Sequence, residues 1–243
     1  MTFLDAYQRI FCALDTTETD QAFTLAKRLK SHVGGVKLGL EFFGANGPAG
    51  FRTVAESGQP IFLDLKLHDI PNTVASAIHA LMPLKPHIMT VHTAGGPAMM
   101  AAAVQAASDA ADRAGCARPL MVGVTVLTSL DNDDLAAVGQ RGPAEEQVLR
   151  LARLARDSGI DGIVCSPQEV SFLRGEIGDQ IALVVPGVRP EWAGADDQKR
   201  VMTPGEAVAA GADHLVIGRP ITRSDDPVGA ARRIVDELSK VTA

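Results

Sequence analysis

Aromatic side chains are scarce. They make up 4% of the 243 residues, with one Trp and one Tyr, too few for the base-stacking platforms that hold single-stranded nucleic acid. No run of Lys or Arg occurs and the formal net charge is −6, so a phosphate-backbone partner is not expected. An anionic ligand then needs a local site rather than a global field. Cysteine is scarce too: Cys12, Cys116 and Cys165 are odd in number, far apart and without zinc-type spacing. Cys12 and Cys165 stand in apolar runs, where a free thiol behaves as a small core residue, and the set reads as reduced. No apolar run approaches the roughly 20 residues that a spanning helix needs, and the N-terminus lacks a signal-peptide pattern. The expectation is a cytoplasmic chain with no membrane and no nucleic-acid partner.

What is present is an ordinary globular mixture, 46% hydrophobic and 21% charged, with ample material for a core. Short β-like runs at residues 11–15, 35–39, 61–66, 87–92, 121–127, 162–166, 183–188 and 214–219 alternate with helical patterns at 21–31, 74–81, 98–113, 144–158 and 227–240. Strands apolar on both faces and alternating with helices indicate a parallel sheet covered by helices. Ser166-Pro167-Gln168-Glu169 and Thr203-Pro204-Gly205-Glu206 read as capping boxes with Pro at the first helical position. Gly34, Gly58, Gly159 and Gly211 fall where helices end. No linker or composition break appears, so residues 1–243 are expected to form one domain. About eight βα units favour an α/β fold of the (β/α)8, or TIM-barrel, type; an open doubly wound sheet fits the same alternation.

Barrel chemistry sits at the C-terminal ends of the strands, and those ends are unusually polar here: Asp15, Lys37, Asp64 with Lys66, His92, Thr128, Arg189 and Arg219. The sharpest segment is Phe62-Leu63-Asp64-Leu65-Lys66-Leu67-His68-Asp69-Ile70-Pro71-Asn72-Thr73. Strand residues two apart share a face, so Asp64 and Lys66 are expected to point together. A carboxylate and an ammonium at a desolvated strand end are costly unless paired. One reading is a structural Asp64–Lys66 ion pair with Asp69 as a helix cap. Lys37 on the second strand argues for more, because two lysines and two aspartates exceed what one bridge requires. An alternating array of that kind suits a reaction that starts from an anion and generates a carbanion needing one proton.

Val185-Pro186-Gly187-Val188-Arg189-Pro190 and Ile217-Gly218-Arg219-Pro220 close the seventh and eighth strands, the usual place for a barrel's phosphate site. Arg219 offers bidentate phosphate geometry and Gly218 close backbone approach. The polar stretch 189–203, with Asp196-Asp197-Gln198-Lys199-Arg200, reads as a lid. His68, His92 and Asp64 lack metal-ligand spacing and read as satisfied side chains, with no metal expected. The glycines between 34 and 50 do not spell a dinucleotide fingerprint. Ser129, Ser166 and Cys165 have no nucleophile context, and 99–103 is small-residue helix packing.

With Asp15, Lys37, FLDLKLHDIPNT, VTVLTS, PGVRP, DDQKR and IGRP in order, the chain from about Phe11 to its end resembles the orotidine 5′-phosphate decarboxylase family, most of all its bacterial single-function form. D-x-K-x-x-D alone is shared with sugar-phosphate decarboxylases and synthases; KLHDIPNT is far more specific. In the metal-dependent relatives an acidic residue stands in the place of Lys37 and helps to bind magnesium, so Lys37 points to the metal-free branch.

The resemblance implies a cofactor-independent lyase of pyrimidine biosynthesis that converts orotidine 5′-monophosphate to UMP and CO2, the last step of de novo UMP synthesis. Lys66 is implied as the acid that protonates C6 of the pyrimidine. Lys37, Asp64 and Asp69 complete the charged array, with Asp69 lent by the other subunit of a homodimer. Asp15, Lys37 and Asp64 match substrate contacts, the first two at the ribose hydroxyls. Ile70 is implied as a substrate contact, and Thr73, also from the partner, matches a ribose or phosphate-side contact. Thr128 matches a hydroxyl that meets the pyrimidine amide edge and the lid residue Gln198. Arg189, Gly218 and Arg219 match the substrate and phosphate contacts. Two other readings remain at this stage: a metal-dependent sugar-phosphate decarboxylase or aldolase of the same barrel superfamily, and a non-catalytic barrel that binds a phosphorylated ligand.

Overall fold

Eight parallel strands follow one another in chain order around a closed barrel in the computed structural model, which describes residues 4–140, 142–193 and 202–241. They are β1 (Ile10–Ala13), β2 (Gly35–Leu38), β3 (Ile61–Leu67), β4 (Ile88–His92), β5 (Leu120–Val124), β6 (Gly162–Val164), β7 (Ala182–Pro186) and β8 (His214–Ile217). The helices are α1 (Thr19–Arg28), α2 (Leu40–Ala55), α3 (Pro71–Leu81), α4 (Gly96–Ala114), α5 (Asn132–Ala137), α6 (Ala144–Asp157), α7 (Val170–Ile177), α8 (Pro204–Ala209), α9 (Arg219–Thr222) and α10 (Pro227–Ser239). Closure decides between the barrel and the open sheet. No helix among the described residues is long and apolar enough to cross a membrane.

The chain divides into two compact units, Met1–Asp64 with Val185–Ala243, and Leu65–Val184. In the first, every residue of β1 is buried, as a strand covered on both faces requires. Its register sets Ala13 beside Lys37 of β2 and Cys12 beside Ile217 of β8, and β2 in turn sets Lys37 beside Phe62 of β3. Phe11 meets Phe62 edge-to-face at 5.9 Å between ring centroids, and burying each ring contributes roughly 1.5–3 kcal/mol. In the second unit, β4, β5, β6 and β7 pair in sequence. There α4 buries Met99, Met100, Ala103, Ala106, Ala107, Ala110 and Ala111, and the helix packs with α3, α6 and β5.

The sequence extends several strands too far. β5 stops at Val124, after which the Thr125 hydroxyl donates to the Val164 carbonyl at 2.9 Å. Val126 and Leu127 continue the apolar pattern without joining the ladder, so composition alone misplaces the end. Likewise Arg219 is not in β8 but opens α9, with Gly218 as its N-cap. Helix α2 is missing from the sequence reading because Gly47 (φ 55) and Pro48 interrupt it; Pro48 has no N–H to give and Gly47 tolerates the kink. Both capping boxes form, the Thr203 hydroxyl accepting from the Glu206 amide at 3.2 Å and the Ser166 amide donating to Glu169 Oε2 at 2.8 Å. Gly58, Gly159 and Gly211 have positive φ at the ends of helical segments, but Gly34 does not. Its lack of a side chain serves close approach, since a Cβ there would collide with the Gln8 carbonyl.

Candidate active site

Three charged side chains meet, Asp15 just past β1, Lys37 near the end of β2 and Asp64 midway along β3. Lys37 Nζ lies 3.6 Å from Asp15 Oδ1 and 3.7 Å from Asp64 Oδ2. The Lys37 and Asp64 side chains are each 12% exposed, whereas that of Asp15 is 61% exposed. The inner pair is therefore largely desolvated and the outer one faces water, so Lys37 and Asp64 interact through a lower effective dielectric. The register explains the meeting: Ala13 and Lys37 are paired, and the Leu14 amide donates to the Lys37 carbonyl at 3.0 Å, which carries the chain past β1 directly into Asp15.

A cavity of about 230 Å³ opens on Asp15 and Lys37, lined also by Ala13, Pro186, Gly187, Val188, Arg189, Val216, Gly218, Arg219 and Pro220. Arg189 is buried, and its amide donates to the Met202 carbonyl at 3.1 Å. A Cβ on Gly218 would come within 3.4 Å of Ala13 Cβ and 3.8 Å of Asp15 Oδ2, so the bare glycine keeps this wall thin. A second cavity, of about 430 Å³, shares Asp15 and Arg219 and adds Gln21, Glu41 and Arg223. Carboxylate and ammonium groups beside two arginines suit a ligand carrying both hydroxyls and a phosphate.

Lys66 departs from the strand rule. Its φ is 50°, a left-handed value uncommon for a residue with a side chain. Lys66 remains within β3, and its backbone conformation is a feature that the sequence pattern does not announce. Strain of this kind costs about 1–3 kcal/mol and persists only where the surroundings impose it. The Lys66 amide donates to Thr90 Oγ1 at 2.8 Å. Nearby, His68 stacks on His92 at 5.3 Å. Burial, with His68 and Lys66 as smaller contributors, holds His92 below the usual imidazole range, and its Nδ1 accepts from the Ala94 amide at 3.4 Å. These are partnered histidines, and no group of three or more His, Cys, Asp or Glu able to hold a metal occurs among the described residues.

Beyond β3 the chain turns outward. Asp69 is exposed and its Oδ1 accepts from the Ile70 amide at 2.7 Å. Ile70 is 67% exposed as the N-cap of α3, and Thr73 is exposed in the first turn. Thr128 is exposed in a turn four residues past β5. Gln198 and most of the expected 189–203 lid lie outside the described residues. Cys12 is buried, and burial above all, with Asp15 adding and Lys37 opposing, pushes its thiol up to about 12; it is core, not a nucleophile. Sequence reasoning missed Thr90. The available signal was a hydroxyl residue inside the otherwise apolar, buried run Ile88-Met89-Thr90-Val91 of β4.

The model of the orotidine 5′-phosphate decarboxylase / HUMPS family matches residues 8–234. A protein of Rhodospirillum rubrum named orotidine 5′-phosphate decarboxylase is 56% identical over 230 residues, covering 94% of this chain and 93% of that protein. One of the same name from Paramagnetospirillum magneticum is 56% identical over 229 residues, covering 94% and 97%. Among solved structures, orotidine 5′-phosphate decarboxylase from Lactobacillus acidophilus superposes with a TM-score of 0.84 at 38% identity, over 94% of this chain and 98% of that one.

Proposed function

This chain belongs to the orotidine 5′-phosphate decarboxylase / HUMPS family and decarboxylates orotidine 5′-monophosphate to UMP and CO2; we propose that it does so through electrostatics alone, with Lys66 protonating C6. The observation that carries this reading is the Asp15–Lys37–Asp64 cluster, whose ammonium stands where the resemblance implies an acid in metal-dependent relatives. Losing CO2 from C6 leaves an sp2 carbanion with no adjacent carbonyl or imine to spread the charge. Stabilisation then has to come from fixed charges already in place, and Lys66 follows Asp64 by two residues on β3. In the proposed array Asp64 and Lys37 orient Lys66, Asp15 and Lys37 hold the ribose hydroxyls, and Thr128 and Gln198 read the pyrimidine amide edge. Arg189, Gly218 and Arg219 take the phosphate side. Remote phosphate binding supplies energy that organises the reacting end.

The proposed assembly is a cytoplasmic homodimer whose subunits lend each other Asp69 and Thr73, with residues 1–243 acting as one catalytic domain. The exposure of both residues supports the sharing, and the reach of the family match across residues 8–234 supports the single domain. The purified protein is expected to consume orotidine 5′-monophosphate, followed by absorbance, at the same rate with and without EDTA. Loss of the rate in EDTA would move it to the metal-dependent branch. Binding of UMP without turnover would make it a ligand-binding barrel.

Arg219→Ala is expected to weaken UMP binding and lower kcat/KM, at a cost on the order of 2–5 kcal/mol for a truncated charged contact. Orotidine, which lacks the phosphate, should suffer less. Equal losses for both substrates would make Arg219 a structural residue.

A further inference from the structure

We propose that Thr90 is a positioning residue for the reaction: its buried hydroxyl holds the Lys66 backbone in its left-handed conformation and so fixes where the ammonium stands. The proposal rests on the reading of Lys66 as proton donor. Three residues other than glycine have positive φ among those described, Ser31, Lys66 and Lys85. Ser31 lies in the turn after α1 and Lys85 caps a short turn at Met82–Leu84, places where tight geometry is common. Lys66 instead lies inside a strand, where nothing local favours that backbone and its own side chain opposes it.

A strand amide ordinarily donates to a carbonyl of the neighbouring strand. At Lys66 the amide donates to a side-chain oxygen, Thr90 Oγ1, at 2.8 Å. Thr90 is 1% exposed, sits between Met89 and Val91 of β4, and is held in register opposite Val122 of β5. A β-branched side chain in a strand has few rotamers, so this acceptor is fixed before any ligand arrives. The residue that must deliver a proton is thus turned by its backbone, and the hydroxyl receiving its amide is built into the next strand. Protonation of a short-lived carbanion tolerates little misplacement of the donor. A valine at 90 would keep the shape but not the acceptor.

The test compares Thr90→Val, Thr90→Ser and Thr90→Ala in the full chain by kcat and KM for orotidine 5′-monophosphate, UMP Kd, and hydrogen exchange at the Lys66 amide. Thr90→Val is expected to lower kcat at least about tenfold while KM and UMP Kd stay within about threefold, with the Lys66 amide losing protection. Thr90→Ser should restore kcat and protection together. Should Thr90→Val fail to fold, Thr90→Ser against Thr90→Ala decides: a selective kcat loss in Thr90→Ala supports the proposal, and equal activity overturns it. Equal losses in Thr90→Val and Thr90→Ser, a change in KM alone, or full kcat with an unprotected Lys66 amide each overturn it. Lys66→Ala keeps the two levels apart. Turnover retained by Lys66→Ala removes Lys66 as the donor and this proposal with it, whereas an inactive Lys66→Ala beside a fully active Thr90→Val removes only the part given to Thr90.

Discussion

Lys66→Ala is expected to lower kcat by about 10³-fold or more, the scale of losing both a fixed charge and a general acid, while UMP binds within a few-fold of wild type. The two effects separate because in the proposed mechanism Lys66 acts when charge develops at C6, whereas the proposed phosphate contacts, Arg189 and Arg219, belong to the segments after β7 and β8. UMP has no carboxylate to lose and asks for none of the stabilisation proposed for Lys66. An interaction made in the transition state lowers kcat and kcat/KM together and leaves ground-state binding alone. The measurements are steady-state decarboxylation and UMP titration on one preparation freed of wild-type contamination. Substantial remaining kcat would sink the donor assignment, and a matching loss of UMP affinity would show Lys66 to be a binding residue.

Much of this site is legible in the sequence because its chemistry is local. Asp64, Lys66 and Asp69 lie in one twelve-residue string, and the alternation of apolar strands with helices places that string at a strand end. The meeting of Asp15, Lys37 and Asp64 follows from parallel pairing of consecutive strands, which alternation also implies. What the sequence hides is backbone geometry and non-local contact. No sequence signal announces a left-handed lysine inside β3, and its partner Thr90 stands 24 residues away. Helix α2 is obscured for the opposite reason: Gly47 and Pro48 are local breakers, yet burial of Phe42, Phe51 and Val54 keeps helical turns on both sides of the kink. Strand ends are misjudged where apolar residues such as Val126 continue past the last ladder bond, because hydrophobic pattern records burial and not pairing.

Mixing Lys66→Ala and Asp69→Ala, each expected to be nearly inactive alone, should restore about a quarter of wild-type specific activity under free subunit exchange. Asp69 lies past the end of β3, exposed, with Ile70 and Thr73 exposed beside it at the start of α3. An exposed isoleucine next to an exposed carboxylate is a patch that a second copy can cover. In a two-fold dimer the same patch faces itself, so each subunit can lend Asp69 to the other. Random exchange makes half of the dimers mixed. Every mixed dimer then has one site lacking both residues and one site with both intact, so a quarter of all sites recover. If Asp69 serves its own barrel, every site lacks one residue and nothing is regained. Exchange has to be verified, for example by mass spectrometry of isotopically labelled subunits, before decarboxylation is assayed. With exchange established, an inactive mixture rules out the shared site, and recovery near a quarter assigns Asp69 to the neighbouring subunit's reaction.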